Sequence, residues 1–155
     1  RVEARKCLER ARDIDPGDPI VARRLASVNE AIDLQKAVDL VKAAEVFVQG
    51  VGMTDDAVRN AREAARLTKH RDVRLLAIRV FAKAGVLEDA VLLAEELVDD
   101  DAKDVLAHNT LFVLHERAKE WRAAVRVGEA LLRLKPDDAD IQKRVKRAVA
   151  EARKS

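Results

Sequence analysis

The chain has very little cysteine: Cys7 is the only one among its 155 residues. No intrachain disulfide can form, and a multi-cysteine zinc site is excluded. Aromatic residues are nearly as scarce, at 3%, with one Trp, three Phe and no Tyr. Without β-branched and aromatic residues in alternation, strands have little support. Five Gly and three Pro fit a helical chain with few breaks. No apolar run approaches the length of a membrane-crossing helix, and the N-terminus lacks a charged-then-apolar signal pattern, so no membrane insertion and a cytoplasmic location are expected. Neither sign of charge dominates: 30 Lys and Arg face 28 Asp and Glu, a net charge of +2. That balance gives no reason to expect nucleic acid as a partner. Ser and Thr are sparse and no G-x-S-x-G or HExxH occurs, so no catalytic, cofactor-binding or metal-binding residue is assigned and the chain reads as non-enzymatic. It begins at Arg1 and its only Met is Met53, which leads us to expect a segment of a longer protein.

What is abundant is apolar residues at 48% and charged residues at 37%, arranged with helical spacing. The clearest stretch is Val105 to Asp138, which reads as two amphipathic helices stopped at Pro136. Its skeleton stands once more upstream. Leu87, Ala90, Ala94 and Leu97 recur 34 residues later as Trp121, Ala124, Gly128 and Leu131. A period in this range marks stacked helix pairs.

Taken in order, residues 1–18 form one helix, with Ala4, Leu8, Ala11 and Ile14 on a stripe and Pro16-Gly17 as its stop. Asp18 is positioned to cap the next helix and Pro19 to open it. Two stripes follow, first Val21, Leu25, Val28 and Ile32, then Leu34, Val38, Val41, Ala44 and Val48. They lie on different faces. Either one helix runs from Pro19 to Gln49, or the chain breaks near Asp33; strict alternation of helices in the later pairs favours one helix. After Gly50-Val51-Gly52, Thr54 is the expected cap of a helix bearing Ala57, Ala61 and Ala64. Residues 72–84 and 87–98 make a pair, Lys103 or Asp104 opens the next, and residues 139–155 form a last helix whose acidic start and basic end suit its dipole.

The second helices at Ala4-Leu8-Ala11, Ala57-Ala61-Ala64, Ala90-Ala94 and Ala124-Gly128, each with small residues at fixed offsets, resemble those of tetratricopeptide repeats. The intervals between their first small residues are 53, 33 and 34, so about nineteen residues are in excess early in the chain. The first-helix motif is degenerate. His108, Leu111, Phe112 and His115 occupy its slots in the last pair, Arg74, Ala77, Ile78 and Phe81 in the one before, and Ala22, Leu25, Ala26 and Asn29 after Pro19. The resemblance implies an all-α fold, an α-solenoid of antiparallel helix pairs in a right-handed superhelix. It forms a single repeat domain over 1–155. Within it lie a half repeat (1–18), an irregular extended repeat (19–70), two regular repeats (71–104 and 105–138) and a C-terminal capping helix (139–155).

Three motifs invite a chemical reading and have plainer ones. His108 and His115 share a face but stand about 10.5 Å apart along a helix, too far to ligate one ion without a bend; packed histidines are expected. Gly50-Val51-Gly52 lacks the strand and the Gly-Lys of a phosphate loop and reads as a helix-ending turn. The basic tail residues Lys143, Arg144, Lys146 and Arg147 flank Ile141, Val145 and Ala148. They have no aromatic for base stacking, as expected for a terminal helix that covers the last apolar face.

The function implied by the resemblance is a protein-interaction scaffold that binds a peptide or partner protein on its concave face, lined by first helices. Carried over by position, its contact residues are Arg23, Ser27, Leu75, Arg79, Lys83, Asn109, Val113 and Arg117. Their Arg and Lys favour acidic or C-terminal carboxylate groups. The alternatives are self-association as a homo-oligomer, through the uncovered first helix or the long helix, and a regulatory segment of a larger enzyme.

Overall fold

The computed structural model describes residues 1–154. Among them are eight helices and no strand: α1 (Val2–Ile14), α2 (Pro19–Phe47), α3 (Thr54–Leu67), α4 (Arg71–Ala84), α5 (Leu87–Asp100), α6 (Val105–Ala118), α7 (Trp121–Leu134) and α8 (Ala139–Lys154). They form two compact units, Arg1–Val73 and Arg74–Ser155. Ser155, assigned by sequence to the last helix, lies outside the described residues.

The first unit is built on α2, a single unbroken helix of 29 residues, about 44 Å long. Asp18 caps it by accepting hydrogen bonds from the backbone of Ile20 (2.7 Å) and Val21 (3.4 Å). No Gly or Pro interrupts it afterwards, so nothing in the chain forces a break near Asp33. Its two stripes serve two neighbours. The short turn after Ile14 folds α1 back along the first half of α2, and the Arg1 guanidinium reaches the Ala31 carbonyl at 3.4 Å. The turn after Phe47 folds α3 back along the second half, which brings Glu63 and Arg66 of α3 into the electrostatic range of Lys36 and Asp33.

Burial is unequal between the halves. Ala37, Val41 and Ala44 are buried in the second half, Leu25 alone in the first. Ala22 and Ala26, placed by sequence in first-helix slots, are exposed, because α1 covers this half with a narrow stripe. Ala4 and Ile14 of that stripe are exposed too, leaving Leu8 and Ala11 half-buried. On the α3 side, Ala57, Ala61 and Ala64 are fully buried, since methyl side chains let two helix backbones approach closely. Gly52 takes a left-handed φ of 79° in the turn, a conformation that costs glycine nothing. Thr54, expected as the cap of α3, is instead its first residue. The Met53 carbonyl accepts the Ala57 N–H at 3.0 Å, which places Met53 at the cap position.

The second unit repeats one turn twice. At the end of α4, Gly85 has a φ of 79° and Val86 N–H donates to the Phe81 carbonyl at 2.9 Å, satisfying one of the helix's last carbonyls. Thirty-four residues on, the same bond joins Glu120 N–H to the His115 carbonyl, also at 2.9 Å. There the left-handed residue is Lys119, with a φ of 59°.

The degenerate aromatic slots are filled by polar side chains that find partners, as buried polar groups must. Arg74 is 4% exposed and pairs with Glu96 at 2.9 Å and Asp100 at 3.6 Å on α5, though its Nε has no partner. His108 donates through Nδ1 to the Asp104 carbonyl at 2.8 Å, and His115 pairs through Nδ1 with Glu120 at 2.6 Å. A carbonyl can only accept, so Nδ1 of His108 carries the proton.

The far end of the unit closes around Phe112, Ala124, Leu131, Ile141, Val145 and Ala148. Gly128 makes that closure possible: a Cβ there would stand 2.6 Å from Val145 and 3.3 Å from the Phe112 ring. Asp138 caps α8 through the Ile141 N–H at 3.1 Å. The helix buries Ile141, Val145 and Ala148 while Lys143, Lys146 and Arg147 stay exposed. Arg144 reaches back to α6. Its guanidinium lies 4.5 Å from the Phe112 ring centre and bonds Glu116 at 2.6 Å and Asn109 at 3.1 Å.

Candidate functional site

The sequence places Leu75 and Arg79 on one face of α4, and Asn109, Val113 and Arg117 on one face of α6, by the four-residue spacing of helical neighbours. The structure brings these five together. They line a single groove of about 300 Å³ between the two first helices of the second unit. Ile78 and Ala82 complete the α4 wall, and Leu106, Thr110 and Leu114 the α6 wall. Both helices contribute apolar surface, most openly at Leu106, 49% exposed, and Val113, 36% exposed. Two guanidinium-bearing residues, Arg79 and Arg117, stand among them.

The polar residues of the groove differ in how far they are engaged. Arg117 donates from Nη2 to the Ala82 carbonyl at 2.9 Å, so it ties α6 to α4 and closes one end. Asn109 accepts at Oδ1 from Arg144, which leaves its amide N–H groups as donors for a ligand. Of the other residues selected from sequence, Lys83 is exposed beyond Ala82 and does not line the groove. Arg23 and Ser27 are exposed on α2, in the first unit. Leu106 lines the groove although its position is not a contact slot of the repeat. Its signal was its spacing of three and seven residues from Asn109 and Val113.

Other chemistry is thinly represented. Cys7 is a free, exposed thiol. Among the described residues no group of three His, Cys, Asp or Glu could hold a metal ion. Among the described residues no helix is long and apolar enough to cross a membrane. Two surface carboxylates are perturbed by pairing: Arg66 holds Glu63 below the usual glutamate range, and Lys154 does the same for Glu151.

No protein-family model and no curated protein matches the sequence. Solved structures do. The C-terminal TPR-containing domain of a Plasmodium falciparum protein described as an FK506-binding protein aligns with a TM-score of 0.58 and 18% identity, over 81% of this chain and 96% of that one. Eight helices, no strand among the described residues, and this similarity give the chain the all-α, helical-repeat fold of a tetratricopeptide-repeat domain.

Proposed function

We propose that the chain is a non-enzymatic protein-interaction module whose α4–α6 groove takes an extended acidic peptide or a peptide's C-terminal carboxylate. The observation that carries this reading is the lining of that groove. Apolar side chains from two first helices line it together with the guanidinium-bearing Arg79 and Arg117. Guanidinium groups favour carboxylates through paired, charge-assisted hydrogen bonds, and the apolar walls supply contact area for side chains between the charges.

The test is a titration of an acidic peptide with a free C-terminus, read by calorimetry, against its amidated and its neutral counterparts. Arg79→Glu and Val113→Asp each change the groove without touching the α6–α8 contact. Loss of binding in both variants, with the helical circular dichroism unchanged, is the expected outcome. Equal affinity in parent and variants would remove this groove as the binding surface.

A second reading has an observation of its own. Helix α1 buries no residue, Val2 and Ile14 are 59% and 86% exposed, and an open groove along α2 is lined by Val2, Ile32, Leu40 and Ala43. Self-association would cover this surface. A molecular mass that does not change with concentration in light scattering excludes it.

A further inference from the structure

Helix α6 lines a second and larger groove with its other face. The walls are α5 and α7, and the volume is about 680 Å³. Helix α5 has six carboxylates and no cationic residue, and four of them divide between two tasks. Glu96 and Asp100 hold the buried guanidinium of Arg74. Glu88 and Glu95 line the groove instead, and neither has an ion-pair partner among the described residues.

These two carboxylates are seven residues apart, about 10.5 Å along the helix, with Val91 and Leu92 between them. Leu92 is 61% exposed, the most exposed large apolar side chain of the second unit. The opposite wall offers Ala123 and Val127 with Arg126 beside them. An acidic helix face alone is an ordinary solvated surface. Here the carboxylates bracket accessible apolar side chains in a concavity between two helices, and that combination matches a ligand of complementary pattern.

We propose that the α5–α7 groove docks a cationic amphipathic helix of another protein. That helix carries Lys or Arg at positions i and i+7 and apolar residues at i+3 and i+4. A helix laid along α5 repeats the spacing of Glu88, Leu92 and Glu95, so each cation faces a carboxylate while the apolar pair meets Leu92 and Val127. Arg126 on the far wall selects an acidic residue on the opposite edge of the incoming helix and so fixes its orientation. This surface is separate from the α4–α6 groove, and the two ligands carry opposite charge.

The experiment uses a labelled, amidated synthetic helix of about sixteen residues, long enough to be partly helical alone, with Lys-x-x-Leu-Leu-x-x-Lys at its centre. Fluorescence anisotropy compares it with a permuted peptide of the same composition and with a version carrying Glu in place of Lys. The chain is tested as the parent, as Glu88→Lys/Glu95→Lys and as Leu92→Ser, each checked by circular dichroism. Saturable binding is expected for the patterned peptide alone, weakened at least about tenfold by either variant and falling as salt is raised. Arg79→Glu is expected to leave it unchanged.

The proposal is overturned if the permuted peptide binds equally, if the patterned peptide does not bind, or if Glu88→Lys/Glu95→Lys retains full affinity. Self-association of the chain that these charge reversals abolish would assign the groove to a second copy and overturn it as well.

Discussion

Substituting Gly128 by Ala separates two effects of opposite sign. Gly128 lies inside α7 with ordinary helical backbone, so a methyl group should favour the helix by about 1 kcal/mol. The added Cβ, however, would stand 2.6 Å from Val145 Cγ2 and 3.3 Å from two atoms of the Phe112 ring. Both neighbours are buried, Phe112 fully and Val145 at 7% exposure, so neither can swing away into solvent. Overpacking of this kind costs about 1–3 kcal/mol, which outweighs the helix gain. The expected net loss is about 1 kcal/mol, or a melting point lower by roughly 2–4 °C. Urea denaturation of Gly128→Ala, Val145→Ala and the double variant makes the cause visible. Val145→Ala alone should cost about 1.5–3 kcal/mol, the transfer and cavity terms of two methyl groups. The double variant should be more stable than the sum by about 1–2 kcal/mol, because the new methyl then has room. If Gly128→Ala is as stable as the parent with an unchanged denaturant slope, or if the pair is additive, the close approach of α7 to α8 is not what requires glycine here.

Three further outcomes are expected. Ala124→Arg places a charge where Ala124 is fully buried and should unfold the second unit's closing end; a melting temperature equal to the parent's would refute that packing. Lys119→Gly relieves a left-handed residue at a position where Gly85 stands one repeat earlier, and should stabilise by about 1 kcal/mol in chemical denaturation. Arg144→Met removes a guanidinium shared by Glu116, Asn109 and the Phe112 ring. With the Arg144 and Glu116 side chains only partly buried, the loss should be about 1–2 kcal/mol, and retention of full stability would show the contact to be incidental.

The helix pairs of the second unit were legible because their constraint is local. Ala90, Ala94, Ala124 and Gly128 must be small wherever backbones cross, and the 34-residue period records that need. Helix α2 was harder to read. Its two stripes show that two faces are apolar, but not how completely a neighbour covers each. Ala22 and Ala26 therefore looked equivalent to buried slots although they are exposed. Arg23 and Ser27 stand directly after those two slots. In contrast, the five residues that share the α4–α6 groove came from helices whose register the repeat fixes. The α5–α7 groove left no trace in the pattern. Glu88 and Glu95 have the spacing of any solvated helix face, and their meeting with Val127 depends on packing across more than thirty residues. Lys119 gave no signal either, since its left-handed φ is set by the turn and not by its side chain.

The uneven cover of α2 has a consequence for how the first unit opens. A continuous helix is usually one cooperative element, yet its two ends here are anchored differently. Ala37, Val41 and Ala44 are fully buried, so this half of the helix opens only by breaking a packed interface. Around Ala22 and Ala26 the hydrogen bonds face water, and α1, which has no buried residue, can detach at little cost. Amide exchange in heavy water should therefore slow along α2 from its first turns toward its last, with α1 exchanging fastest of the unit. One rod would then carry a gradient of protection, its frayed half able to melt and reform while the half against α3 holds.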